Sequence, residues 1–428
     1  MKKNKALLLV LGVLLAIAAA VGLYFGVKAL NARADNNPDG STDSAASAEP
    51  TDTQGTDVTG ETMELTPEME AAKAKAVYTE AELKADDPRL DLVVSNCLER
   101  SLTNRDAQIY YIMQFVNFMN QYGGYASMLG LDNTQPLSEQ PSMVGDLTWE
   151  QYFLMAGMQQ FQQVTSLAAK ADAEGFKVSQ EENALLEERL AQMEAEAKTN
   201  GFETTDAYIE SLFGPGVRME DYARFLRLDN LCGAFYKDLY RRTMADEMAL
   251  QEYRDANPGE FEGIEDDSMT VNVRHILFLS DPNEDGTATD EEKANAKARA
   301  EELLAAAQAN PSEDYFAELA KENSQDPGSK DNGGLYEYVA PGTMVEEFND
   351  WCFDAARKPG DTDIVETPYG YHVMYFVAQI AEWKTTAVNG ILNAIIEKLP
   401  DNAPLTVNYE NIVLSPLPKQ EEEAAEEE

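Results

Sequence analysis

The chain has 428 residues, with 33 Lys plus Arg against 77 Asp plus Glu, a formal net charge of −44. That length suggests two or three domains, and 44% apolar residues is enough to build their cores. The acidic excess argues against a nucleic-acid binder and against a protein held by charge to an anionic lipid surface, since both need clustered positive charge.

Three Cys are spread along the chain at Cys97, Cys232 and Cys352, with no CxxC pair. They read as buried free thiols rather than a disulfide framework. Only two His occur, which argues against a His-rich metal site. No metal and no cofactor is expected. His275 and His372 become the residues to follow.

Residues 1–5 (MKKNK) carry three lysines, and Ala6 to Val27 then holds no charge over 22 residues. As a helix that stretch spans about 30 Å, the thickness of a hydrocarbon core. The expectation is a single-pass membrane anchor over 6–28, with the lysines inside and the bulk of the chain extracytoplasmic. Ala32-Arg33-Ala34 offers a competing reading, a signal-peptidase cut before Asp35. No Cys precedes Cys97, which argues against a lipid anchor at the usual lipoprotein site. Residues 29–65 contain the Asp-, Ser- and Thr-rich run from Asp35, which lacks aromatic residues and reads as a flexible linker. The end of the chain, 416–428, finishes in EEEAAEEE and reads as a solvated acidic tail.

Residues 66–267 read as a helical domain. Leu92 to Leu98 suggests a short strand running into a helix that carries Ile109, Ile112, Met113, Val116 and Met119. Thr148 with Gln151 and Ser179 with Glu182 have the form of capping boxes. Gly175 and Gly201 stop the two helices that follow. Phe225, Leu228, Cys232, Phe235 and Leu239 share a face of a later helix. The Met and aromatic stripes read as packing core, with a cradle for apolar client segments as the alternative.

Residues 268–383 change character to a compact α+β pattern. In MTVNVRHILFL, strand alternation puts Val271, Val273, His275, Leu277 and Leu279 on one face. Ala296, Ala300, Leu303 and Ala307 mark an amphipathic helix, and a final strand from Gly370 puts His372, Met374 and Phe376 on one face. Two imidazoles on facing strands satisfy each other inside an apolar sheet if one donates and the other accepts. Asp326 sits in Asp-Pro-Gly, which is turn chemistry in its own right; a turn-capping role is the alternative to a catalytic one.

The runs RHILF, SQDPGS, GGLYEY, GTMVEEF and ETPYGYHV, in this order, resemble a parvulin-type peptidyl-prolyl isomerase domain over about Val271 to Val377. The resemblance implies catalytic roles for His275, Asp326, Thr367 and His372. It implies an apolar proline pocket from Leu335, Met344 and Phe348, with Tyr369 beside it. The family's common Gly-Gly-Asp-Leu-Gly run is replaced by Gly333-Gly334-Leu335-Tyr336. With the helical region before it, the layout is similar to the PrsA/SurA class of extracytoplasmic foldases. That class implies unfolded or partly folded exported polypeptides with X-Pro bonds as partners. It also implies a C-terminal segment, 384–415, that returns to the helical domain, with Ile412 to Leu414 as a strand beside Leu92 to Val94; an independent satellite is the alternative. No basic cluster demands a phosphorylated residue before the proline.

Overall fold

The computed structural model describes residues 83–143, 147–282 and 288–417. The expected anchor 6–28, the linker 29–65 and the tail from 418 onward lie outside the described residues. Among the described residues, no helix is long and apolar enough to cross a membrane. The chain divides into two compact units: residues up to 239 together with those from 395, and residues 240–394.

The first unit opens with a hairpin, β1 (Val93–Cys97) and β2 (Arg100–Thr103). Its turn is Leu98-Glu99, with Leu98 at φ 51°. A turn without Gly or Asn carries no hairpin signature, so the sequence reading ran β1 straight into a helix and missed β2. Helix α1 (Asn104–Tyr122) starts at a capping box formed by Thr103 and Asp106. Helices α2 (Trp149–Ala173) and α3 (Gln180–Thr199) start at the Thr148/Gln151 and Ser179/Glu182 boxes. Each box satisfies helix N–H groups that have no partner within the helix. Helices α4 (Thr205–Phe213) and α5 (Met219–Met244) complete the set. Tyr110 meets Phe161 and Phe225 edge-on, and Phe118, Trp149 and Phe153 pack together. Cys97, Cys232 and Cys352 are free and buried.

The second unit contains α6 (Glu247–Ala256), β3 (Met269–Leu279), α7 (Asp290–Ala309), α8 (Glu313–Asn323), β4 (Leu335–Val339), α9 (Glu346–Cys352), β5 (Thr362–Thr367), β6 (Gly370–Ala381) and α10 (Glu382–Lys398). The strands form one antiparallel sheet in the order β4-β3-β6-β5. Alternation along β6 splits its side chains between two cores. Tyr371, Val373 and Tyr375 join Ile276 and Phe278 against Ala296, Ala300 and Ala307 of α7 and Phe316 of α8. Met374 and Phe376 join Val271, Val273 and Val365 against Phe348, Trp351 and Cys352 of α9. Both histidines lie on this second face.

Strand β7 (Leu405–Val407) then pairs antiparallel with β1 in the first unit, Ser95 opposite Val407 and Cys97 opposite Leu405. The expected strand at Ile412 to Leu414 is corrected. Those residues are buried but extended without ladder partners, and the Val413 N–H goes to the Asn104 side chain instead. An apolar run signals burial, and here burial comes without a strand. The two compact units meet at 239/240 and at 394/395. Each crossing lies inside a continuous helix, α5 or α10.

Candidate active site

Strands β3 and β6 are the two central strands, and their register places His275 opposite Met374 and Leu277 opposite His372. The histidines are therefore diagonal neighbours on one face, within reach of each other across the ladder. Their Nδ1 atoms are 2.9 Å apart, and the rings stack with centroids at 5.1 Å and planes 20° apart. Both are buried.

Beyond the stretch covered by β4, the open edge of β3 is taken by residues 324–326. Gln325 N–H donates to Leu277 O (2.9 Å), Leu277 N–H donates to Ser324 Oγ (3.2 Å), and Leu279 N–H donates to Gln325 Oε1 (3.0 Å). These bonds satisfy strand groups that have no neighbouring strand, and they deliver Asp326 to the sheet face. The Gly333-Gly334 run explains itself in the same place. His275 N–H donates to Gly334 O (2.8 Å). Gly334 has φ 75°, and a Cβ there would lie 2.2 Å from His275 O; only glycine fits.

A directed hydrogen-bond chain results. Asp326 Oδ2 lies 3.0 Å from His275 Nε2 and 3.0 Å from the Tyr336 hydroxyl, and Ser329 Oγ also donates to it. At the other end His372 Nε2 lies 2.9 Å from Thr367 Oγ1, which accepts the Tyr369 N–H. Burial raises the Asp326 pKa, but the hydrogen bonds from His275 and Ser329, the nearby His275 ring and the Tyr336 hydroxyl outweigh it and hold the carboxyl well below its usual range. An ionised Asp326 only accepts, so His275 Nε2 must carry a proton. With His275 neutral, its Nδ1 accepts from His372 Nδ1–H, and Thr367 donates to His372 Nε2. His372 itself stays neutral: burial, with the His275 charge adding to it, pushes its pKa down to about 3.

Phe348 of α9 stands edge-on to both imidazoles, at 5.5 Å from each centroid. Met344 is partly buried and packs into the same apolar cluster. The structure does not bring Leu335 there. Leu335 pairs with Arg274 and Tyr336 pairs with Val273, so alternation puts Tyr336 on the histidine face and Leu335 on the other. Tyr369 is 61% exposed at the β5–β6 turn; its backbone N–H, not its hydroxyl, reaches the chain. The sequence reading did not assign Ser329 or Tyr336 a role. Ser329 follows Asp326 by three residues in the quoted SQDPGS loop, and Tyr336 is the residue that breaks the common glycine run; those were the available signals. Among the described residues, no group of three or more His, Cys, Asp and Glu is placed to hold a metal ion.

An antiparallel sheet with paired central histidines, a loop aspartate and an apolar wall is the arrangement that the resemblance to a parvulin-type domain implies. Residues 260–379 match the family described as the PPIC-type PPIASE domain. Two curated relatives are both named foldase protein PrsA. One, from Geobacillus sp. strain WCH70, is 50% identical over 60 residues, 14% of this chain and 21% of the relative. The other, from Caldanaerobacter subterraneus subsp. tengcongensis, is 31% identical over 186 residues, 42% of this chain and 50% of the relative. The chain thus spans at most about half the length of these two relatives. A crystal structure of PrsA from Bacillus subtilis is 20% identical, covering 60% of this chain and 88% of that one at a TM-score of 0.28.

Proposed function

We propose that this chain is a peptidyl-prolyl cis-trans isomerase and foldase for exported polypeptides. The observation that carries the reading is the Asp326–His275–His372–Thr367 chain lying beside Phe348 within a PPIC-type domain. An X-Pro bond rotates over a barrier of about 18–20 kcal/mol because amide resonance must break. No nucleophile is required to lower it. A surface that holds the twisted imide more tightly than the planar one is sufficient. Phe348 and Met344 supply the apolar wall for the proline ring, and Tyr336 takes the place expected of Leu335. Tyr369, exposed beside Thr367, contacts the client next to the proline. Asp326, His275, His372 and Thr367 set the electrostatics against which the imide twists. Clients are unfolded or partly folded chains that contain X-Pro bonds. Relatives named as foldases and the lysine-flanked apolar stretch 6–27 support an extracytoplasmic chain held to the membrane by residues 6–28.

A second reading keeps client binding and drops isomerisation; the altered Gly333-Gly334-Leu335-Tyr336 run motivates it. One experiment separates the two. Exchange between cis and trans of a proline peptide is followed by NMR with the full chain and with Asp326→Ala, beside a client-aggregation assay. Acceleration that Asp326→Ala abolishes supports the isomerase. Suppressed aggregation with no acceleration by the wild type selects the binding reading.

A further inference from the structure

We propose that Tyr336 is a positioning residue of this site: its hydroxyl anchors the Asp326 carboxylate against His275 while its ring closes one face of the imidazole. The effect on catalysis rests on the isomerase reading; the positioning itself rests on geometry alone. Three observations carry it.

First, the hydroxyl lies 3.0 Å from Asp326 Oδ2, the same oxygen that receives His275 Nε2–H. A carboxylate held by one donor swings about its Cβ–Cγ bond. Held on the same oxygen by Tyr336, Ser329 and His275, it stays aimed at the imidazole. Second, the Tyr336 ring stacks on His275 with centroids at 5.1 Å and planes 27° apart, while His372 stacks on His275 at the same separation and 20°. With Phe348 edge-on at 5.5 Å, three rings pack against the imidazole and oppose a turn that would exchange its nitrogens. Third, space is left for the hydroxyl. Gly328 is not among the glycines with positive φ, so its backbone does not require glycine. A Cβ on Gly328 would instead meet Tyr336 Oη at 3.0 Å and both Asp326 oxygens at 3.7 Å. The missing Cβ at Gly328 thus leaves the space that the Tyr336 hydroxyl occupies beside Asp326.

The test uses the full chain and Tyr336→Phe, which keeps the ring and removes only the hydroxyl. The chain has two histidines, so the imidazole 15N and N–H signals can be read without crowding. Loss of a hydrogen bond to a charged group predicts that exchange of the His275 Nε2 proton with water quickens about tenfold. The acid limb of the isomerisation rate should move up, as Asp326 loses one of the hydrogen bonds that hold its carboxyl down and becomes easier to protonate. Gly328→Ala, with Tyr336 intact, should quicken the same proton by crowding the hydroxyl, and the double variant should be no worse than Tyr336→Phe alone. This second variant carries the test if Tyr336→Phe does not fold. An unchanged His275 Nε2 signal and proton exchange in the folded variants would overturn the proposal. A wild type with no isomerase activity would overturn the functional reading while leaving the imidazole measurement decisive for Tyr336.

Discussion

Asn104 and Gln108 in the first unit, and Asp326 and His275 in the second, are all buried or nearly so, yet they direct their hydrogen bonds to different kinds of partner. Asn104 donates to the carbonyls of Arg89 (2.8 Å) and Asn411 (2.9 Å) and accepts the Val413 N–H (2.9 Å). Gln108 accepts the Ser415 N–H (3.1 Å) and donates to Ser415 Oγ (2.9 Å). Three of these bonds, to Asn411 O, Val413 N–H and Ser415 N–H, satisfy backbone groups of the C-terminal segment where no strand pairs with it. Around Asp326 the partners are other side chains that can gain, lose or redirect a proton: His275, Ser329, Tyr336 and, beyond them, His372 and Thr367. A buried network aimed at backbone builds a fold. One aimed at titratable side chains can be rearranged by a ligand or by pH.

The sharpest way to break that contrast is Asn104→Ala. It leaves the Asn411 carbonyl and the Val413 N–H without this partner, while Arg89 O keeps the Leu92 N–H; at about 1–3 kcal/mol for each group left unpaired, a destabilisation of about 2–6 kcal/mol is expected in the first unit. Hydrogen exchange at the Val413 amide should accelerate strongly, while isomerisation at neutral pH stays at the wild-type rate. Lost isomerisation with Val413 still protected would mean that the two networks do not divide as argued.

Asp326→Ala is the converse. Removing a single preorganised charged group from such a site typically costs about 10²-fold in rate, close to 3 kcal/mol. The expected result is a kcat/KM about a hundredfold lower in the peptide assay, with Val413 protection untouched. A change below about threefold would demote the network to a structural one.

The two networks were not equally legible in the sequence. The histidine pair was, because strand alternation places His275 and His372 on one face by a period of two, and a sheet preserves that period. Asp326 and Thr367 were legible only through resemblance, since a loop position has no period. For Leu335 and Tyr336 the deciding information is register: β4 pairs Tyr336 with Val273 and Leu335 with Arg274, which turns Tyr336 to the histidine face and Leu335 away from it, and a motif match carries no register. Asn104 and Gln108 gave no signal at all. Their partners lie about 300 residues away in sequence, and no local pattern encodes a bond to a distant carbonyl.

Acid sharpens the contrast further. The buried His372 has its pKa pushed down to about 3 from 6.5. The unfolded chain then binds the proton more readily, so stability falls as pH drops below about 6.5. Between pH 6.5 and 5 that one group costs the second unit about 2 kcal/mol. Asp326 does not contribute in this window: its depressed pKa gives stability that persists until pH falls through the ordinary carboxylate range. In the first unit burial raises Asp229 of α5 to about 6, which has the opposite sign. The folded form takes up the proton first, so acidification from pH 7 to 5 favours that unit. Urea unfolding at both pH values, read on amide signals from each unit, should show the second unit weakening alone. His372→Gln should flatten its slope. Equal weakening of both units would contradict the assignment.

The smallest expected effect is at the far end of the chain. Thr367→Val keeps the shape of a buried β-branched residue but removes Oγ1, which lies 2.9 Å from His372 Nε2 and accepts the Tyr369 N–H at 3.2 Å. The Tyr369 amide lies at an exposed turn and can turn to water, so the net stability loss should be only about 1 kcal/mol. His372 Nε2, buried, has no such recourse. If the chain is directed as Asp326 requires, the loss at Thr367 weakens the His275–His372 contact without touching the Asp326–His275 one. The His372 15N signals should therefore move while the His275 Nε2 proton stays put, and kcat/KM should fall less than for Asp326→Ala. Equal movement at both rings would mean that protons shift along the whole chain together, and that Asp326 does not fix its direction.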